Sequence, residues 1–172
     1  MTHSPRIDRM IRVNQAGEYG ATRIYAGQLA VLKNSAIGKT LRDMEEQEQH
    51  HLKTFNEMAV QQSVSPTILQ PVWYVGGYLL GVATALMGEK SAHACTIAIE
   101  EVIADHYQDQ LNQLSSTEHA ALKATITQFR NEEIEHKDHA IKEGGLQAPA
   151  YAALTSVVKA ISKTAIWLSE RI

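Results

Sequence analysis

Apolar residues recur every three or four positions through most of this chain, the spacing of a buried helix face. Ile7, Ile11, Ala21, Tyr25, Leu29 and Leu32 mark a first helix from about Ile7 to Lys33, and Leu41, Met44, Phe55 and Met58 a second from about Ile37 to Gln62. Ile97, Ile103, Tyr107, Leu111 and Leu114 mark a fourth from about Glu89 to Leu114; Leu122, Ile126, Phe129 and Ala140 mark a fifth, stopped by Gly144-Gly145. Punctuation agrees with the periods. Asn34-Ser35 with Gly38 separates the first two helices. Ser65-Pro66 reads as an N-cap with proline at the first position of the third helix, and Ser115 with Glu118 as a capping box for the fifth. A sixth helix follows Pro149. The short connections predict an all-α chain with one domain over 1–172. Its helix pairs, about 7–62 and 89–143, form a four-helix bundle, with a crossover helix at about 66–88 and a C-terminal helix at about 150–171.

The crossover breaks the amphipathic rule. From Met58 through Gly88, 31 residues pass without Asp, Glu, Lys, Arg or His, and Val72–Met87 is the most apolar part. Sixteen helical residues span ~24 Å, short of the ~30 Å hydrocarbon core of a bilayer. Two readings follow: a buried core helix, or a helix lying in a membrane interface. In the second, Trp73, Tyr74 and Tyr78 sit at headgroup level and Leu79 and Leu80 reach the acyl chains. The sixth helix offers a similar stripe through Leu154, Val158, Ile161, Ala165 and Leu168, which would serve either the bilayer or packing on the bundle.

Composition narrows the field. With 44% hydrophobic and 20% charged residues the chain can fill a core and is not disordered. A formal net charge of −3 gives no basic surplus for nucleic acid. The single cysteine, Cys95, excludes an internal disulfide framework and thiolate metal cages. No charged-then-apolar leader precedes Ile7, so a cytoplasmic location is expected.

Each of the four bundle stripes is interrupted by a glutamate, and two by Glu-x-x-His. Glu18 lies on the first helix, Glu48 and His51 on the second, Glu100 on the fourth, Glu133 and His136 on the fifth. Three residues apart, each Glu-His pair shares one helix face. The order Glu, Glu-x-x-His repeats at offsets of 82 and 85 residues. Four carboxylates in one core cannot stay ionised without compensating positive charge. Two divalent cations would supply it, the pattern of di-iron and di-manganese carboxylate bundles. Oxygen and imidazole donors without thiolate favour iron or manganese over zinc. By analogy with the repeat, Glu48 and Glu133 would bridge, Glu18 with His51 completing one position and Glu100 with His136 the other. Tyr107, two turns beyond Glu100, would hydrogen-bond near the site or pass on an electron. Gly17 and Gly20 beside Glu18 would either open room for a flat ring or tighten helix packing.

The run Asp8-Arg9-Met10-Ile11-Arg12-Val13-Asn14-Gln15-Ala16-Gly17-Glu18-Tyr19-Gly20-Ala21 resembles the first helix of the demethoxyubiquinone hydroxylase family. Ala94-Cys95-Thr96 with Glu100-Glu101, and the ending Leu168-Ser169-Glu170-Arg171, resemble it too. The resemblance covers about Ile7 to Ile172 and includes all six candidate ligands. It implies a ferritin-like bundle holding two iron ions, which hydroxylates the ring of a polyprenylated demethoxy-quinol with O₂ and two electrons. It also implies a role near the site for His106, although that residue points off the stripe. A membrane-borne quinol favours the interfacial reading of the crossover, and with it a peripheral protein on the cytoplasmic face of a bacterial-type membrane. A trimmed eukaryotic form would belong to the mitochondrial inner membrane.

Two rival functions use only part of this pattern. A ferroxidase or iron-handling bundle needs the glutamates and histidines but not the apolar crossover, and a membrane-associated scaffold needs the reverse. No Gly-x-Gly-x-x-Gly fingerprint identifies the electron donor, so NADH and a separate reductase stand as alternatives. A homo-oligomer and a biosynthetic complex are both compatible with the sequence.

Overall fold

The computed structural model describes residues 4–114 and 119–172, and its regular structure is helical. Helix α1 spans Pro5–Leu32, α2 Gly38–Gln62, α3 Gln70–Leu86, α4 Glu89–Gln113, α5 Ala120–Lys142 and α6 Tyr151–Ser169, with a 3₁₀ turn at Gly145–Gln147. The fold is all-α, as the periodicity requires. Boundaries fall within a few residues of the expected ones except at α3.

That helix begins at Gln70 rather than directly after Ser65. The Ser65 carbonyl accepts from Arg12 Nε at 3.0 Å, and Thr67 Oγ1 accepts from the Leu69 N–H at 3.3 Å. Val64 and Thr67 are buried, so 64–67 forms an anchored strap without regular structure. Pro71 then takes the first-turn place assigned to Pro66, where a missing N–H costs nothing. The Ser115–Glu118 capping box lies outside the described residues. Gly144 closes α5 in the left-handed region at φ +89°, a conformation that favours glycine.

Helix α1 packs on α2, and α4 on α5; α3 lies along α1 and α6 along α4. Each half is thus a helix pair with a third helix folded back on its first. Contact between α1 and α3 is backbone-close: a Cβ on Gly27 would strike the Tyr78 carbonyl oxygen, and one on Gly81 the Ile24 carbonyl oxygen. On the other side, Lys159 of α6 holds Glu101 of α4 at 2.6 Å.

Apolar side chains form two clusters. Tyr25, Leu41, Met44 and Ala92 belong to one; Ile11, Phe55, Ile103, Tyr107, Ile126, Phe129 and Val158 belong to the other. Along α2 the change of cluster falls between Met44 and Phe55, where Glu48 and His51 project inward. A polar layer therefore crosses the bundle between two apolar ones.

Candidate metal centre

Every sequence-derived candidate in that layer is buried: Glu18, Glu48, His51 and Glu133 at 0% exposure, Glu100 at 1% and His136 at 4%. They form two groups sharing two members. Glu18, Glu48, His51 and Glu133 make one, and Glu48, Glu100, Glu133 and His136 the other, with ligand atoms in each group within 4.8 Å of one another. His51 Nδ1 lies 3.1 Å from Glu133 Oε1, 3.5 Å from Glu18 Oε2 and 3.8 Å from Glu48 Oε2. His136 Nδ1 lies 3.1 Å from Glu48 Oε1, 3.4 Å from Glu133 Oε2 and 4.0 Å from Glu100 Oε1. Glu48 and Glu133 therefore each turn one oxygen to either group.

Outer atoms of the cluster are satisfied and inner ones are not. His51 Nε2 bonds Glu132 Oε2 at 2.6 Å, and His136 Nε2 bonds Gln47 Oε1 at 2.9 Å. Tyr25 Oη donates to Glu100 Oε1 at 2.6 Å, and Tyr107 Oη donates to Glu18 Oε1. By contrast Glu18 Oε2, Glu100 Oε2, both oxygens of Glu48 and of Glu133, and Nδ1 of both histidines are buried without a hydrogen-bond partner. Leaving one buried polar atom unpaired costs ~1–3 kcal/mol, and more when it is charged. Eight such atoms converging from four helices fit a pair of cations, which would use all of them.

The electrostatics agree. Burial first, then repulsion from Glu133, pushes the Glu48 and Glu100 carboxyls well above the usual range. Burial also opposes charge on Glu133, but His136 and His51 outweigh it and bring that carboxyl down to about 2. On His51, burial is likewise outweighed by Glu133, Glu18 and Glu48, which push the imidazole up to about 12; His136 is raised by Glu133 and Glu100. The metal-free fold thus gathers protons. Metal ligation needs carboxylates and neutral imidazoles, so loading near pH 7 should release protons. Calorimetry in two buffers of different ionisation enthalpy should give different apparent heats. The sign for stability follows from the same groups. Those raised in the fold stabilise it fully below their unfolded pKa values and lose that contribution as pH rises, so metal-free protein should weaken from mildly acidic towards alkaline pH.

Beside the cluster lies an apolar cavity of about 340 Å³ between α1, α3, α4 and α6. Gly17, Gly20 and Ala21 from the Glu18 turn and Ile99 and Ile103 from the Glu100 turn line it, with Trp73, Gly76 and Leu80 of α3 and Ile161 and Ala165 of α6. A Cβ on Gly17, Gly20 or Gly76 would meet nothing within 4 Å. The glycines beside Glu18 open space; close helix packing is the work of Gly27 and Gly81.

The remaining candidates divide. Tyr107 is buried, and burial with the Glu18 charge holds its phenol well above the usual range, so it remains a donor. His106 is not in either group. Half-buried, it contacts Gln110 at 2.8 Å and lines a polar cleft with Arg6, Arg9 and Glu170; burial lowers its pKa against the pull of Glu170 and Asp109. On α3, Tyr74 and Leu79 are exposed. Trp73 is half-buried and donates to Ser169 Oγ of α6 at 3.1 Å, Tyr78 is half-buried with the Arg23 guanidinium 5.4 Å from its ring centre, and Leu80 packs on the core. Trp73 and Leu80 thus turn towards protein rather than outwards. Sequence reasoning passed over Tyr25, Gln47 and Glu132. The repeat held the signal, since Tyr25 stands seven residues after Glu18 as Tyr107 stands after Glu100.

Fold and cluster together define a helical-bundle carboxylate protein whose buried Glu and His side chains can hold metal. Comparison with known proteins narrows this: the chain belongs to the Ubiquinone biosynthesis protein COQ7 family, which it matches over residues 5–169. It is 53% identical over 167 residues to the 3-demethoxyubiquinol 3-hydroxylase of Rhodospirillum rubrum, covering 96% of this chain and 78% of that one. It is 48% identical over 169 residues to the NADPH-dependent 3-demethoxyubiquinone 3-hydroxylase, mitochondrial, of Homo sapiens, with the same coverage. Against the 5-demethoxyubiquinone hydroxylase, mitochondrial, of Saccharomyces cerevisiae, identity is 41% over 182 residues, again 96% of this chain and 78% of the other.

Proposed function

We propose that this chain is a di-iron hydroxylase of ubiquinone biosynthesis, acting on the ring of a polyprenylated demethoxy-quinol. Two electrons and two protons are consumed; one oxygen atom of O₂ enters the ring and the other leaves as water. The observation that carries this reading is the apolar cavity walled by residues next to Glu18 and Glu100. A ferroxidase would use the cluster but has no need of that cavity, and a scaffold would need neither. The names of the relatives supply the substrate class.

Glu48 and Glu133 would hold both irons, Glu18 with His51 completing one position and Glu100 with His136 the other. Iron held there would supply the reduction of O₂ and the delivery of one oxygen atom to the ring. The protein does the rest. The Tyr107 and Tyr25 hydroxyls fix the rotamers of Glu18 and Glu100, and Glu132 and Gln47 hold the two imidazoles with Nδ1 inward. Gly17, Gly20 and Gly76 leave width for a flat ring, and the aliphatic walls keep water from it. Electrons would come from a reduced nicotinamide nucleotide, directly or through a reductase. Cells lacking the gene should accumulate demethoxy-quinone, and this chain should restore ubiquinone on extraction; persistence of the precursor with the folded, iron-loaded protein present would count against the reading.

A polyprenyl tail on the substrate would draw the protein to a membrane surface. Among the described residues no helix is long and apolar enough to cross a membrane. Yet two of the four helices that wall the cavity carry exposed apolar side chains: Val75 at 55% and Leu79 at 58% on α3, Ile161 at 49% and Trp167 at 54% on α6. We read this as a face lying in the interface, open to a lipid-dissolved quinol, on the cytoplasmic face of a bacterial-type membrane. Leu79→Asp should reduce liposome flotation severalfold and leave iron content and thermal stability unchanged. Leu80→Asp, placing charge against the core, should instead destabilise the fold by several kcal/mol. Equal flotation of Leu79→Asp and the unaltered chain would contradict the interfacial reading.

A further inference from the structure

The two halves correspond residue by residue around the cluster. Glu18 and Tyr25 map onto Glu100 and Tyr107 at an offset of 82, and Glu48 and His51 onto Glu133 and His136 at an offset of 85. The supporting hydrogen bonds obey the same two-fold: each tyrosine donates to the glutamate of the opposite half. At the second offset Gln47 maps onto Glu132, and each of these reaches across to the histidine of the opposite helix. Here the symmetry fails. His51 has a carboxylate partner at 2.6 Å, and His136 a neutral amide oxygen at 2.9 Å.

The surroundings widen the difference. The Glu132 side chain is 23% exposed, and its other oxygen accepts from Gln128 Nε2 at 3.0 Å, which fixes it on the imidazole. Gln47 is exposed. The His51 ring also stacks on Phe129 at 3.9 Å between centroids; the position matching Phe129 in the first half is Met44. A carboxylate accepting the outer N–H of a histidine fixes its tautomer and makes the inner nitrogen a stronger donor, and loss of such a partner typically weakens metal binding ~10–100-fold. An amide oxygen fixes the tautomer but brings no charge to the bond.

We propose that Glu132 and Gln47 make the two metal positions unequal, so that the Glu18–His51 position binds more tightly and fills before the Glu100–His136 position. The inference rests on the metal-centre reading above. Glu132 is a positioning residue in this account: it acts on the metal only through His51.

Titration of the metal-free full chain with Fe²⁺ under anaerobic conditions tests it. The unaltered chain should bind two irons in two resolved steps. Glu132→Gln keeps an acceptor for the His51 N–H and removes only the charge, so the tight step should weaken ~10–100-fold and merge with the weak one. Gln47→Glu, at an exposed position that disturbs no packing, should tighten the weak step. Mössbauer spectra taken after one equivalent of isotopically enriched iron and one of ordinary iron identify which position filled first. One doublet should dominate in the unaltered chain, both should appear in Glu132→Gln, and the other should dominate in the exchanged variant Glu132→Gln/Gln47→Glu. A merely structural role for Glu132 would not invert that order. Even filling in the unaltered chain, or an order unmoved by the exchange, overturns the inference and leaves a di-iron centre standing. Failure to bind Fe²⁺ tightly at all overturns the metal-centre reading along with it.

Discussion

Glu133→Ala should reduce hydroxylation to background and bring bound iron well below two atoms per chain. Glu133 turns one oxygen to His51 Nδ1 and the other to His136 Nδ1, at 3.1 and 3.4 Å, so its loss takes a donor from both positions at once. Glu48→Ala should behave alike, since its oxygens divide between the same two groups. Removing Glu18 or Glu100 takes a donor from one position only, and such variants should keep some iron. The metal-free fold should survive Glu133→Ala. Without that carboxylate the imidazoles can shed their protons, and Glu48 and Glu100 lose a negative neighbour that now raises their pKa values. Elemental analysis, turnover and thermal unfolding separate the cases: full iron with full activity would refute the assignment.

Gly17→Leu should lower kcat/KM for a quinol ~100-fold while iron content stays at the level of the unaltered chain. A Cβ at Gly17 meets open space in the cavity, so the backbone accepts the side chain and the helix gains propensity, ~0.5–1 kcal/mol on replacing glycine. The cost falls on the substrate instead. An isobutyl group takes a sizeable share of a 340 Å³ cavity, and displacing a ring by ~1 Å from its reacting geometry is enough for a loss of this size. Gly20→Ala, a single methyl in the same space, should be nearly silent. Gly81→Ala should do the opposite of Gly17→Leu, unfolding the protein at lower temperature because its methyl meets the Ile24 carbonyl oxygen. Unchanged kcat/KM in Gly17→Leu would remove the cavity from the account.

The helices and the six inward Glu and His side chains were legible because both rest on local periodicity. A glutamate on an apolar stripe at helical spacing is buried wherever the stripe is buried, so Glu18 or Glu133 can be placed before any tertiary contact is known. The start of α3 was not legible. Ser65-Pro66 and Gln70-Pro71 both offer proline in a first turn, and the segment between them is held by tertiary contacts that no local pattern encodes, among them Arg12, 53 residues away, binding the Ser65 carbonyl. Leu79 and Leu80 could not be told apart within an uncharged run that lacks a polar face to set the phase. Their separation comes from packing against α1 and the core. The cavity was half visible, as glycines beside Glu18; its walls come from four helices and no single segment encodes it. Glu132 and Gln47 stood in plain view beside Glu133 and Glu48. Their part appears only once α2 and α5 face each other across the bundle, since each serves the histidine of the opposite helix.

The fate of dioxygen tests the central claim most directly. The purified, iron-loaded chain would be given a short-tailed demethoxy-quinol analogue and a reductant under isotopically labelled O₂, and the product analysed by mass spectrometry. The account predicts one labelled oxygen atom in the new ring hydroxyl, with O₂ consumed in proportion to quinol and iron retained throughout. Label found only in water, with rapid oxidation of added Fe²⁺ and an unaltered quinol, would contradict it and leave a ferroxidase in its place.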